Sequence, residues 1–92
     1  MRDPERINRI NELLYEIWQL DPDMRFMQFI YVLQAQYSNQ NQNEGLIEQV
    51  EDDGFAKRGF DLFHLEDTKF ERFLKQTLEN RKLNKNVSTN QP

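Results

Sequence analysis

Ninety-two residues, 37% apolar and 30% charged, suffice for one small core, since a chain of this length hides only about 60–65% of its unfolded surface. Sixteen acidic residues outweigh twelve basic ones and cysteine is absent, which argues against generic attraction to nucleic acid or anionic lipid and removes disulfides, thiolate nucleophiles and cysteine-based zinc sites. No apolar run of about 18 residues and no basic-then-apolar leader is present, so a membrane span and a signal peptide are not expected.

The first element is signalled by Asp3-Pro4. The carboxylate suits an N-cap, proline suits the first helical position, and Glu5 complements the dipole of the first turn. Ile7, Ile10, Leu13, Leu14, Ile17 and Trp18 then recur at three- and four-residue steps. The spacing predicts a helix over residues 4–20. Asp21-Pro22 repeats the punctuation, ending that helix and capping a second. Within the second, Phe26, Phe29, Ile30, Leu33 and Tyr37 keep helical spacing, while Met27, Tyr31 and Val32 widen the apolar arc. A link this short predicts an αα-hairpin.

Residues 38–45, Ser-Asn-Gln-Asn-Gln-Asn-Glu-Gly, lack periodicity and read as an exposed loop. From 44 to 67 the pattern is ambiguous: Leu46, Ile47 and Val50 fit either helical turns or a short strand. Gly54 and Gly59 bracket Phe55-Ala56-Lys57-Arg58, ahead of Phe60, Leu62, Phe63 and Leu65. We expect this acidic stretch to be irregular and to cross the helices, with a short helix favoured over a hairpin. A third helix starts at Thr68 and Glu71, which have capping-box spacing, with Asp67 the competing cap. Phe70, Phe73, Leu74 and Leu78 form its stripe, and Glu71 and Lys75 an i, i+4 pair. The expected fold is therefore all-α or mostly α: an αα-hairpin plus a third helix in one domain, residues 1–83. The polar tail, residues 84–92, has nothing to bury and is expected to be disordered.

Few side chains here do chemistry. His64 lies near Asp61, Glu66 and Asp67, but has no serine or threonine nucleophile beside it, so a structural role is the better reading. Glu51-Asp52-Asp53-Gly54 lacks the alternating donors and the twelfth-position glutamate of a calcium loop. Glu12 and Glu16 lack the Glu-x-x-His partners of a di-metal site. No catalytic residue, metal or cofactor is expected.

Charge, by contrast, is segregated. Residues 44–67 carry eight carboxylates against two basic groups, and residues 68–92 six basic groups against two carboxylates. Glu48, Glu51, Asp52 and Asp53 are the candidate partner-binding residues, although a solvated loop is the plainer explanation of such a cluster. Tyr31 joins them as an aromatic on the broad arc of the second helix, whereas Trp18, Phe29 and Ile30 have core spacing. The leading function is non-enzymatic recognition of another protein by the acidic segment and the adjoining second-helix surface. The rival is nucleic-acid binding through Lys69, Arg72, Lys75, Lys82 and the tail, and self-association through the second helix is a third option.

The order Arg2-Asp3-Pro4-Glu5-Arg6-Ile7, Glu12-Leu13-Leu14, Ile17-Trp18, Pro22-Asp23, Arg25-Phe26, Gln28-Phe29-Ile30, Asp61-Leu62-Phe63 and Glu66-Asp67 resembles a group of short uncharacterised phage and bacterial proteins. Arg6 to Ile30 is similar to the YihD-like bacterial family of unknown function. The resemblance implies a cytoplasmic, non-enzymatic accessory protein encoded by a prophage or other mobile element, and carries over no catalytic residue. Arg25 and Gln28 are polar positions within it that the capping pattern leaves without a role, and they complete the candidate set.

Overall fold

The computed structural model describes residues 2–89, with side chains through residue 84. Three helices, α1 (Glu5–Gln19), α2 (Phe26–Gln40) and α3 (Asp67–Thr89), are joined by two strands, β1 (Leu46–Val50) and β2 (Ala56–Phe60), between α2 and α3. The all-α expectation is thus corrected: the acidic segment is an antiparallel hairpin, neither irregular nor a short helix. The chain divides into two compact units, one formed by residues up to Met24 with those from Leu65 onward, the other by Arg25–His64.

In the first unit α1 packs against α3, while α2, the helix expected to form an αα-hairpin with α1, belongs to the second unit. Asp3 Oδ1 accepts the Glu5 N–H at 3.0 Å from one residue ahead of Pro4, which takes the N-cap position expected of Asp3. Three arginines one turn apart on the N-terminal side then reach carboxylates of the facing chain. Arg2 lies 3.6 Å from Glu66, Arg6 Nε 2.6 Å from Asp67 Oδ2, and Arg9 Nε 3.1 Å from Glu71 Oε2. The pairs ascend both segments in the same sense, so α1 and α3 run parallel along this seam. Because α3 begins at Asp67, Thr68 is already helical and cannot cap it. Glu71, expected to complete a capping box, serves Arg9 and also Lys75, whose Nζ lies 3.2 Å away. Ile17, Phe73, Leu74 and Leu78 are buried, and the Phe70 and Phe73 rings stack with centroids 5.7 Å apart.

The sequence of Asp21 to Arg25 explains why α2 starts four residues later than the proline pattern suggests. The Met24 N–H bonds to the Asp21 carbonyl, closing a turn. The Met24 carbonyl then accepts the Trp18 indole N–H at 2.8 Å, the role a helical amide would otherwise fill. Arg25 follows in extended backbone, φ −66° and ψ 149°, and becomes the N-cap.

In the second unit Phe29, Leu33 and Tyr37 are buried, four residues apart on one face of α2. The helix runs past the expected boundary at Ser38, which is itself only 2% exposed. It ends where Asn41 Nδ2 donates to the Tyr37 carbonyl and Gln42 and Asn43 turn left-handed at φ 59° and 63°. The strands pair Leu46 with Phe60, Ile47 with Gly59, Glu48 with Arg58, Gln49 with Lys57 and Val50 with Ala56. Side chains alternate across the ribbon, so Leu46, Glu48, Val50, Ala56, Arg58 and Phe60 share one face. Phe60 of that face meets Tyr31 edge-on, with centroids 5.4 Å apart, and docks β2 on α2.

The aromatic rings are only partly buried. Phe29, Tyr37 and Phe73 are buried, whereas Phe55 and Phe63 are 74% and 85% exposed. α3 is assigned through Thr89, and residues 90–92 of the expected tail lie outside the described residues.

Candidate functional site

Glu48, Glu51, Asp52 and Asp53 all lie on the hairpin, with Glu48 and Glu51 on opposite faces of the ribbon, and the turn explains much of their chemistry. The Glu51 N–H donates to the Phe55 carbonyl at 2.9 Å, and the Gly54 N–H to the Glu51 carbonyl at 2.9 Å. These bonds close a three-residue loop, Asp52-Asp53-Gly54, with Gly54 at φ +85°. This is a type I turn followed by a left-handed glycine, a common three-residue hairpin connection. Asp53 Oδ1 accepts the Phe55 N–H at 3.0 Å, so its carboxylate belongs to the turn. The segment that superficially matches a calcium loop is therefore hairpin chemistry.

Two further carboxylates are balanced within the ribbon. Glu48 Oε1 lies 2.8 Å from Arg58 Nε, directly across the ladder, and Glu51 Oε1 lies 3.4 Å from Lys57 Nζ. Asp52 is exposed at the end of the turn. Around these charges the structure exposes apolar side chains absent from the sequence-derived set. Val50 is 76% and Phe55 74% exposed. They lie on opposite faces of the ribbon, Val50 facing with Ala56 and Phe55 with Glu51 and Ile47. The signal that could have found them is Asp-Asp-Gly between Val50 and Phe55-Ala56, three turn residues flanked by strand formers.

The remaining candidates separate from this group. Gln28 has a structural duty: its Oε1 accepts the Arg25 N–H at 3.1 Å, satisfying an orphan amide at the start of α2. The capping explanation withheld from Arg25 and Gln28 is thus supplied, by backbone at Arg25 and side chain at Gln28. An arginine has no acceptor atom, so the Arg25 side chain caps nothing. Tyr31 is 46% exposed beside Phe60. His64 is exposed, with its ring edge-on to Phe63 at 5.0 Å. Asp61 Oδ1 accepts the Phe63 N–H, and Glu66 and Asp67 belong to Arg2 and Arg6.

Electrostatic perturbation concentrates elsewhere. The Arg9 guanidinium, then Lys75, holds the buried Glu71 carboxyl below its ordinary value. Asp3 is lowered first by the Glu5 amide and then by Arg9. Burial pushes the Tyr37 phenol up, as does its hydrogen bond to Glu44. Among the described residues, no three His, Asp or Glu side chains are grouped to hold a metal ion. Nor is any described helix long and apolar enough to cross a membrane. Compared with family models, with curated proteins and with solved structures, the chain finds no match in any of the three.

Proposed function

We propose that this chain is a small cytoplasmic, non-catalytic interaction protein that recognises another protein with the tip of its β-hairpin. The observation carrying this reading is the exposure of Phe55 and Val50 on a turn rimmed by Glu51, Asp52 and Asp53. Aromatic side chains seated in a partner's pocket supply most of the energy in many interfaces, while rim charges steer the encounter and select the partner. The complementary surface is an apolar pocket bordered by lysine or arginine. A hairpin suits the task because its backbone is already ordered, which lowers the entropy lost on binding.

The test is capture from lysate by the immobilised full chain, compared with Phe55→Ala and Asp52→Lys. Both substitutions leave the turn's hydrogen bonds intact. A protein recovered by the parent chain and lost with Phe55→Ala supports the reading, with salt-sensitive weakening for Asp52→Lys. Equal recovery by all three, or recovery of nucleic acid alone, overturns it.

A further inference from the structure

The helix α2 carries no charged side chain. The chain holds twelve basic and sixteen acidic residues, and none falls between Phe26 and Gln40. The neighbouring charges in sequence, Arg25 and Glu44, lie beyond its two ends. Where α2 turns polar groups outward they are Gln28, Asn39 and Gln40, amides in place of the lysine and glutamate usual on a surface helix.

The first two turns of α2 also expose apolar side chains. Met27 is 71%, Phe26 49% and Tyr31 46% exposed, and Ile30 between them is half-buried. Met27, Ile30, Tyr31 and Gln34 follow the i, i+3, i+4, i+7 spacing of one helix face. That face lies round the axis from the buried Phe29, Leu33 and Tyr37. Phe26 flanks it, one turn before Ile30. The hairpin takes up the later part of this side, where Tyr31 meets Phe60 and Ala35 lines a cleft with Leu46. Single exposed apolar residues are ordinary, but a contiguous group on a helix without charge is not.

Different occupants make different demands on such a face. Helices that lie on a bilayer carry lysine and arginine along their polar side, and α2 has none. A distinct protein is steered and selected by complementary charge at the rim, which α2 does not offer. A second copy makes the opposite demand. A two-fold axis sets the patch against itself, so any charge within it meets its like. On a chain of net charge −4, a neutral patch is where two copies approach with least repulsion. Gln34 suits the same demand, because an amide both donates and accepts and can pair with its own copy.

Area sets the strength. Half of a phenylalanine or tyrosine side chain is roughly 75–125 Å², so Phe26, Met27 and Tyr31 together present on the order of 300 Å². Standard stable interfaces take about 800 Å² from each partner, and those totalling below about 1,200 Å² are weak and transient. The face therefore fits a reversible dimer rather than an obligate one.

We infer that α2 is a self-association surface, on which two copies of this chain pair about a two-fold axis through Met27, Ile30, Tyr31 and Gln34. The residues differ from Val50 and Phe55 at the hairpin tip, so this inference and the proposed partner recognition fail separately.

The experiment is sedimentation equilibrium of the full chain from about 10 μM to about 1 mM, with amide-resolved NMR over the same dilution series. The mass is expected to rise reversibly from monomer toward dimer, with concentration-dependent shifts centred on the Phe26–Gln34 amides. Met27→Glu and Met27→Lys each change an exposed side chain. Each should keep the parent's circular dichroism and weaken dimerisation at least about tenfold. Met27 to Gln34 spans only about 10 Å along the helix, so the two copies' side chains at position 27 lie within about one Debye length at low salt. An equimolar mixture of the two variants should therefore recover the dimer. Phe55→Ala should dimerise as the parent does, and added NaCl should not weaken the parent dimer, since no ion pair holds it. A chain monomeric throughout, shifts centred away from α2, undiminished association of Met27→Glu, no recovery in the mixture, or loss of the dimer with salt or with Phe55→Ala overturns the inference. So does binding to phosphatidylcholine or phosphatidylserine vesicles by a chain that stays monomeric.

Discussion

Gly45 and Gly54 both occupy left-handed backbone, at φ +79° and +85°, yet alanine at the two positions should have different consequences. Alanine in that conformation costs about 1–2 kcal/mol, partly offset by about 0.4–1 kcal/mol from reduced freedom of the unfolded chain. At Gly54 nothing lies within 4 Å of an added Cβ, so this balance is the whole effect. At Gly45 the Cβ would sit 2.6 Å from Leu62 Cδ2 and 2.8 Å from the Asp61 carbonyl oxygen. The leucine tip can move. The Asp61 backbone cannot easily do so, because its N–H is bonded to the Gly45 carbonyl at 2.8 Å. Overpacking of this kind adds about 1–3 kcal/mol. Gly45→Ala should therefore open the hairpin about 5- to 150-fold more often than Gly54→Ala does. Hydrogen exchange at the Glu51 and Asp61 amides reads both openings directly, with Gly59→Ala, where space is open, as the near-neutral control. Equal acceleration by Gly45→Ala and Gly54→Ala would refute the steric argument and leave backbone conformation alone as the cause.

Other perturbations test the remaining elements. Leu74→Ala removes a side chain with no exposure and should cost about 3–5 kcal/mol, seen as a lower urea midpoint with unchanged slope. Glu71, held below its ordinary 4.5 by Arg9 and Lys75, lends stability that is fully present above that value and lost as pH falls through the lower folded one. Glu71→Gln should flatten this acid limb in pH-dependent unfolding, and an unchanged limb would assign it to other carboxylates. Tyr37 runs in the opposite sense: its phenol is raised above 10.0, so its contribution is present below about pH 10 and fades as pH climbs through the raised value. Tyr37→Phe should remove an absorbance component titrating above that point. Gln28→Ala deletes the acceptor for the Arg25 amide and should destabilise α2 by about 0.5–1 kcal/mol without altering partner capture, whereas a loss of capture would return Gln28 to the recognition surface.

The helices were legible because their information is local. Asp3-Pro4 and the Ile7–Trp18 stripe required nothing beyond capping and periodicity. The start of α2 was not legible because the decisive partner of the Met24 carbonyl is an indole six residues earlier in α1. The partner of α1 was equally hidden. A short link argued for α2, but Arg6 and Arg9 find Asp67 and Glu71 some sixty residues away. The hairpin was obscured for a different reason. Leu-Ile-Glu-Gln-Val and Ala-Lys-Arg-Gly-Phe are five-residue strands whose exposed positions carry mixed chemistry, so neither period dominates over so short a window. Only the Asp53-Gly54 pair marked the reversal, and it stood inside a charge cluster that invited a binding explanation.

That cluster shows how structural duty and recognition are told apart. Asp53 is engaged by the Phe55 amide, Glu51 by Lys57 and Glu48 by Arg58, so three of the four acidic candidates have local reasons to exist. Turn chemistry and cross-strand pairing would select them in a protein with no partner at all. What these duties do not explain is why the residues flanking the turn are Val50 and Phe55, both about three-quarters exposed. Solvent-facing positions beside a turn tolerate polar residues at no cost to the fold, and a large exposed ring contributes little to a two-stranded ribbon. The apolar pair, not the charge that first draws the eye, is therefore what distinguishes this hairpin from a merely well-made one. Asp52, the acidic residue without a turn bond or ion pair among those described, is the charge to test beside it.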